Sequence, residues 1–347
     1  MISTIRNFAW IALVLVALVA VGCGGAKVGV EGADDGKQQV DAEGKPIISK
    51  EAREAFDDAA AVYKEAEKAG WNDERCAKVA EQFEEVADDF NDMAEAMYNV
   101  GVVHKECDNV DAARKAFEKT VDAHSDHQLS MAHLAVIELE AGNTEAAEEW
   151  VRKAVGAGRN TLEAVPAYYI AGTILRERYR ESKKEEDFAK GERSLRTALA
   201  IDNKFLPALY ELAMLYYDKA VVTKKPSFLT LATLVCQQAI KLDPEYGVVY
   251  HALGKILLEQ NELVEALKAF ESAFTKDPSL FEAYMTFGAI NLNFRGYEAA
   301  RAAFEKAIAL EPDNYDAHMG LGVALRGLGD YEGAKAEYKR AAEIAPK

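Results

Sequence analysis

Residues 315–346 read YDAHMGLGVALRGLGDYEGAKAEYKRAAEIAP, and this stretch decides the fold. It holds two short segments with apolar residues at helical spacing, separated by a glycine–aspartate turn. Small residues, among them Gly322 and Ala341, stand where two helices would cross closely, and Leu321 and Tyr338 would fill the space between them. The stretch therefore predicts a pair of packed amphipathic helices.

The same unit recurs with a period of 34 residues. Similar segments, AIKLDP, AFTKDP, AIALEP and AAEIAP, end in prolines at 34-residue intervals, which are Pro244, Pro278, Pro312 and Pro346. A proline ends the second helix of one unit and starts the next unit. Because one helix pair cannot bury its apolar face alone, neighbouring pairs must stack.

The small residue of each first helix aligns the earlier units of the chain with the last one. Gaps of 34, 37, 41, 41, 34 and 34 residues separate Gly101, Ala135, Gly172, Ala213, Gly254, Gly288 and Gly322. Seven extra residues enter near YRESKKEED and again near KAVVTKKPSF, so those helices are longer or their turns are looped. A further degenerate pair is expected at 52–69 and 76–90. We expect about eight pairs over residues 50–347.

The last unit resembles the tetratricopeptide repeat (TPR). The matching residues are Leu321, Gly322, Gly329, Asp330, Tyr331, Ala334, Tyr338, Ala341 and Pro346. His318 departs from the pattern, because the family prefers tryptophan there. The resemblance implies an all-α fold, a right-handed α-solenoid of about eight TPR helix pairs. It also implies a concave surface lined by the first helices that binds other proteins.

The amino terminus differs from the rest. Residues 8–21 form an unbroken apolar run, too short for the ~20 residues that span a bilayer but suited to a secretory signal peptide. The segment from Ala20 to Cys23 resembles a bacterial lipobox, although leucine is commonest at the position of Ala20. We therefore expect a lipoprotein signal peptide at 1–22 and lipidation, such as palmitate, of Cys23. The alternative is an ordinary export signal with an incidental cysteine.

The segment after Cys23 is rich in Gly, Asp and Gln and has few large apolar residues, which predicts a flexible tether over 23–49. In enteric bacteria the residue after the lipidated cysteine directs the sorting of lipoproteins. By resemblance to that rule, Gly24 favours the outer membrane. We expect the protein to be lipid-anchored in the outer membrane and to face the periplasm. A net charge of −17 disfavours nucleic acid and anionic membrane surfaces as partners, so the membrane contact is expected through the lipid anchor only.

Three cysteines remain after Cys23. Cys236 stands where later units carry Phe270, Phe304 and Tyr338, so it should be buried and unpaired. Cys76 and Cys107 fall at helix ends on the same edge of neighbouring units, which makes a disulfide geometrically possible; two buried thiols are the alternative.

Catalytic chemistry is not indicated by the sequence. The histidines, including His124, His127 and His133, show no recognised metal-ligand spacing. GLGVALRGLG has no strand before it, which argues against a dinucleotide loop. No serine or cysteine stands in a nucleophile motif. We therefore expect that the protein is not an enzyme and that it binds no metal, cofactor or small-molecule substrate.

A partner-binding groove is expected on the first helices. Residues at −3, +1 and +4 from the small residue share one stripe of each helix, rich in aromatic side chains and methionine, as interface cores are. For any one of them, packing against a neighbouring helix is the alternative. The expected groove residues are Tyr98, Tyr169, Thr173, Tyr210, Met214, Tyr217, His251, Lys255, Met285 and Met319.

The architecture is similar to outer-membrane TPR lipoproteins such as type IV pilus pilotins and a gliding-motility lipoprotein. This resemblance implies a non-enzymatic scaffold that binds a peptide or helix of an envelope protein in the groove. An assembly chaperone that holds unassembled envelope subunits is the alternative.

Overall fold

The computed structural model describes residues 48–91, 93–158 and 161–345. Within these ranges the regular structure consists of sixteen α-helices and one 3-10 turn, Leu162–Ala164, with no strand. The predicted all-α fold class is confirmed, as is the estimate of about eight helix pairs. The expected signal peptide, the lipidated Cys23 and most of the tether lie outside the described residues.

The helices are α1 Lys50–Ala69, α2 Asp73–Asp89, α3 Ala94–Glu106, α4 Val110–Ala123, α5 Gln128–Glu140, α6 Thr144–Gly156, α7 Val165–Ser182, α8 Glu185–Ile201, α9 Leu206–Thr223, α10 Pro226–Leu242, α11 Gly247–Glu259, α12 Leu263–Lys276, α13 Phe281–Asn293, α14 Tyr297–Leu310, α15 Tyr315–Leu328 and α16 Tyr331–Ile344. Odd-numbered helices are the first helices of the pairs, and even-numbered helices are the second. The first pair is the degenerate one expected upstream of the clear repeats, and the Ser49 hydroxyl caps α1 by accepting from the N–H of Ala52 at 3.0 Å.

The described residues divide into two compact units, and the division falls within the sequence of α7, between Ile174 and Leu175. In the first unit, each helix from α1 to α6 packs on the next, and the aromatic rings of Phe56, Phe83 and Phe117 lie in its core. In the second unit, α8 to α16 pack in the same consecutive way, and α9 also contacts α11, as α13 contacts α15. In these two cases a first helix contacts the first helix of the next pair, which is the stacking that the repeat predicts.

The two seven-residue insertions lengthen helices and leave the turns short. Helices α7 to α10 have 17 or 18 residues, whereas α11 to α16 have 13 or 14. The connections are Lys183–Lys184 and Lys224–Lys225, and Lys183 and Lys224 both have φ 55°. The looped-turn alternative is thus wrong for both insertions.

The aspartate of the repeated LDP and KDP segments shapes the junction between pairs. Asp243 and Asp277 each follow a second helix, and each carboxylate accepts a hydrogen bond from the N–H two residues on, at 2.8 and 3.0 Å. Asp202 does the same for the N–H of Lys204 at 2.9 Å. Each aspartate therefore fixes a tight turn before the next first helix begins.

The structure decides between the two alternatives that the sequence left open for Cys76 and Cys107. Cys76, in the first turn of α2, and Cys107, directly after α3, form a disulfide with their Cα atoms 6.2 Å apart, so the two-thiol alternative is wrong. The bond links the first pair to the second pair within the first unit. Cys236 is free and buried, as predicted.

Candidate functional site

In the first unit, two of the expected groove residues belong to the core. Tyr98 on α3 is 3% exposed, and its hydroxyl bonds Nε2 of His133 at 3.0 Å. Thr173 on α7 is also buried, and its hydroxyl donates to the backbone carbonyl of Tyr169 at 3.1 Å. The groove prediction is wrong for Tyr98 and Thr173, because both side chains are buried within the protein.

The histidines near Tyr98 have structural roles. The His133 ring stacks on Phe117 with centroids 4.6 Å apart, and burial lowers the pKa of His133 to about 3, with Lys105 acting in the same direction. His127 precedes α5, where Nδ1 accepts a hydrogen bond from the N–H of Ser130 at 3.2 Å. Across the described residues, no three His, Cys, Asp or Glu side chains are grouped so that they could hold a metal ion.

In the second unit, Met214 on α9 is the third groove residue that proves to be buried, with 4% exposure. The other predicted residues keep partial exposure: Tyr169 in the first unit and Tyr210, Tyr217, His251, Lys255, Met285 and Met319 in the second. Met285 packs against the buried clusters that contain Phe304 and Tyr284, so part of its surface is already used within the protein. Burial raises the pKa of Tyr210 to about 12, which keeps its hydroxyl neutral.

Tyr217, His251 and Lys255 form what we call the Lys255 cluster. The ammonium of Lys255 on α11 lies over the ring of Tyr217 on α9, 5.3 Å from its centroid. One helical turn before Lys255, the His251 ring lies 5.7 Å from that of Phe270, and its Nε2 atom is buried without a hydrogen-bond partner. Burial lowers the pKa of His251 to about 4, and Lys255 adds to this effect, so the ring is neutral at pH 7.

Sequence reasoning missed a buried ionic group beside this cluster, which we call the Arg176 network. It consists of Arg176, Glu177 and Arg180 on α7 and Glu211 and Asp218 on α9. The Arg176 guanidinium and the Glu211 carboxylate are each 3% exposed and lie 2.9 Å apart. A further contact of 3.4 Å joins Arg176 to Asp218, and Asp218 is also 3.9 Å from Arg180.

Burial and charge pairing act in opposite directions on the pKa values of the Arg176 network. Burial alone would lower the pKa of Arg176, but Glu211 and Asp218 raise it well above its ordinary value. Burial raises the pKa of Glu211, and Arg176 opposes that rise. The spacing of Glu211 and Asp218, two helical turns apart on α9, is a sequence signal for a shared face. Nothing in the sequence showed that this face lies on α7.

No helix among the described residues has both the length and the apolar character needed to cross a membrane. Residues 108–160, in the first unit, and 291–347, in the second, match a tetratricopeptide repeat family model. Residues 235–268 match a second tetratricopeptide repeat model. The chain therefore contains tetratricopeptide repeats in both units. Comparison with curated protein sequences gives no match.

Solved structures share the fold at low identity. The human IFIT1 dimer with m7Gppp-AAAA is 14% identical, with a TM-score of 0.57 over 84% of this chain and 72% of that chain. Yeast Tom70 is 18% identical, with a TM-score of 0.55 over 90% of this chain and 64% of that chain. A crystal structure of MamA is 23% identical, with a TM-score of 0.40 over 47% of this chain and 92% of that chain. The first two support the TPR-like solenoid fold.

Proposed function

We propose that this protein is a non-enzymatic scaffold that binds a segment of a partner protein along the first helices of its second unit. TPR proteins in general mediate protein–protein interactions, and stacked helix pairs supply an extended surface for that purpose. The observation that carries the proposal is the Lys255 cluster. Its three side chains, on two neighbouring first helices, are half-buried, and the ammonium and the imidazole keep unused hydrogen-bonding capacity.

The proposed place of action is the periplasmic face of the outer membrane, with the chain held by lipid on Cys23. The lipobox-like segment before Cys23 supports an anchor. The Cys76–Cys107 disulfide supports export, because structural disulfides persist in oxidising compartments. The partner would belong to an envelope assembly, such as the gliding-motility or type IV pilus machinery. The lipoproteins of these assemblies combine a lipid anchor with TPR repeats, and this chain resembles them in that respect.

A nucleic-acid ligand is disfavoured. The human IFIT1 dimer contains m7Gppp-AAAA, but a net charge of −17 gives this chain an overall field that repels phosphate groups. An assembly chaperone for envelope subunits is the second candidate function, because a half-buried groove serves transient clients as well as stable partners.

Site-specific photo-crosslinking in cells tests the groove. A photoreactive residue replaces Leu258, a 37% exposed side chain on α11, or Leu234, a 55% exposed side chain on the second helix α10. We expect a crosslinked partner from position 258 and none from position 234. Equal crosslinking from both positions, or none from either, would contradict a first-helix groove. A stable stoichiometric partner indicates a scaffold, and brief substoichiometric crosslinks to precursor subunits indicate a chaperone.

The anchor has its own test. Cys23→Ala should abolish palmitate labelling and release the protein from membranes, and Cys236→Ala serves as the control that should change neither. Membrane retention of Cys23→Ala would contradict the lipid anchor while leaving the groove proposal intact.

A further inference from the structure

Lys255, which is half-buried, differs from the buried cations Arg176 and Lys219 of the second unit. Arg176 is paired with Glu211, and Lys219 is paired with Glu185. Among the described residues, no carboxylate lies within ion-pair distance of the Lys255 ammonium, which lies over the Tyr217 ring. A ring face attracts the charge but offers little to its three N–H donors, so these donors remain available.

The surroundings of Lys255 do not offer a substitute partner. Burial lowers the pKa of this ammonium; Asp218 and Glu282 oppose that change, while Arg176 and Arg180 reinforce it. The Asp218 carboxylate is already shared between Arg176 and Arg180. Glu282, on α13, is exposed to solvent. A half-buried cation with unused donors thus remains in a chain that is otherwise strongly acidic.

His251 provides a second, independent observation. It precedes Lys255 by four residues on α11, so the two side chains leave the same face of the helix. Its Nε2 atom is buried and has no hydrogen-bond partner, which is uncommon for a buried polar atom. In the tautomer with the proton on Nε2, and with the ring turned toward the ammonium, a ligand group that accepts hydrogen bonds would satisfy both His251 and Lys255.

We propose that the Lys255 cluster binds the carboxylate of an Asp or Glu side chain within the partner segment. This inference rests on the proposed protein-binding function and names the chemistry that the segment must carry. One negative charge matches the one cation of the Lys255 cluster, and a carboxylate has two oxygens to accept from Lys255 and His251. Half-buried side chains stand on both sides, Tyr217 on α9 and Met285 on α13. A segment that crosses α11 therefore has contacts before and after the carboxylate, which favours a side chain over a chain end.

Peptide selection tests the proposal on the purified chain. The probe is a library of short random peptides with amidated C-termini, screened against the wild type, Lys255→Met and Lys255→Glu. Lys268→Glu is the matched control, since Lys268 is an exposed side chain on the second helix α12 and its replacement changes the net charge equally. Thermal unfolding of each variant verifies that it is folded.

We expect the wild type and Lys268→Glu to enrich peptides with an internal Asp or Glu flanked by apolar residues. Lys255→Met should bind the selected peptides about ten- to a hundred-fold more weakly, because a charge-assisted hydrogen bond is lost. Lys255→Glu should enrich Lys or Arg instead. His251→Ala should weaken the binding of the acidic peptides, while the protein should still prefer acidic peptides over others.

Binding without acidic enrichment, or acidic enrichment that survives in Lys255→Glu, would overturn this inference and leave the protein-binding function standing. Acidic preference that requires a free C-terminal carboxylate would also overturn it, because the chain end would then be the ligand. Failure of every peptide to bind would instead count against the proposed function itself.

Discussion

Gly254 and Phe270, sixteen residues apart, pack so closely that a Cβ atom on Gly254 would lie 2.7 Å from Cε1 of Phe270. The same spacing and contact recur for Gly101 with Phe117 and for Gly288 with Phe304. At the equivalent positions of the third pair, the chain has Ala135 and Val151, both buried. Where alanine takes the place of glycine in the first helix, valine takes the place of phenylalanine in the second. The two side chains together therefore fill a similar space between the helices.

Gly254→Ala should destabilise the second unit by about 1–3 kcal/mol, because the overlap with the buried Phe270 ring outweighs the gain in helix propensity. Phe270→Val alone should also destabilise, by leaving a cavity. The double variant should lose less than the sum of the two, with a coupling of about 0.5–2 kcal/mol in urea unfolding. Strict additivity would show that the methyl group does not fill the space left by the ring.

Such pairs explain how much of the fold could be predicted. The 34-residue period and the glycine–aromatic spacing are local patterns, so the helix pairs and even the degenerate first pair follow from the sequence. The groove was less predictable. Tyr98 and Tyr217 both occur in the same helical stripe, yet Tyr98 is buried and Tyr217 is half-buried. Which of them stays accessible depends on the side chains of neighbouring helices, and a helical stripe does not contain that information.

The buried Arg176 network predicts a large cost for removing one partner. Arg176→Met should destabilise the protein by about 3–5 kcal/mol at pH 8, because Glu211 would lose its cation in a buried site. The double change Arg176→Met with Glu211→Leu should recover most of that loss, since no buried charge remains. A loss below about 1 kcal/mol for Arg176→Met would contradict a buried pair.

The same variant should respond to pH in a defined direction. Burial raises the pKa of Glu211, and removing Arg176 takes away the group that opposes the rise. The folded state then binds more protons than the unfolded state between the two pKa values, so stability decreases as pH rises through that window. Relative to wild type at each pH, Arg176→Met should be less destabilised at pH 5 than at pH 8.

His133 predicts an acid-sensitive first unit. Its pKa falls from 6.5 to about 3 on burial, so the unfolded chain binds the extra proton throughout that window. The contribution of His133 to the free energy of unfolding is fully present above its unfolded pKa and is lost as the pH decreases. At pH 5 this group alone lowers the free energy of unfolding by about 2 kcal/mol. Tyr98→Phe with His133→Phe removes both hydrogen-bonding partners together, and unfolding free energies at pH 7 and pH 5 should show a shallower acid loss. An unchanged slope would place the acid sensitivity elsewhere.

The disulfide predicts a redox-dependent stability of the first unit. Cys76 and Cys107 are 31 residues apart, and a cross-link of that span contributes about 3–4 kcal/mol by restricting the unfolded chain. A reductant should therefore lower the thermal midpoint of the wild type. Cys76→Ser with Cys107→Ser should start at the lower midpoint and show no response, although Cys236 is still present. A reductant response in that variant would implicate a group other than this bond.

The difference between Tyr98 and Tyr217 gives the sharpest test of what is core and what is groove. Tyr98→Ala should cost about 3–5 kcal/mol of unfolding free energy, because a fully packed aromatic side chain and its bond to His133 are lost. Tyr217→Ala should cost much less in urea unfolding, because its ring is only half-buried, but it should abolish the crosslink from position 258. A stability loss as large as that of Tyr98→Ala would mean that Tyr217 is a core residue. Full stability together with undiminished crosslinking would mean that the partner does not contact α9.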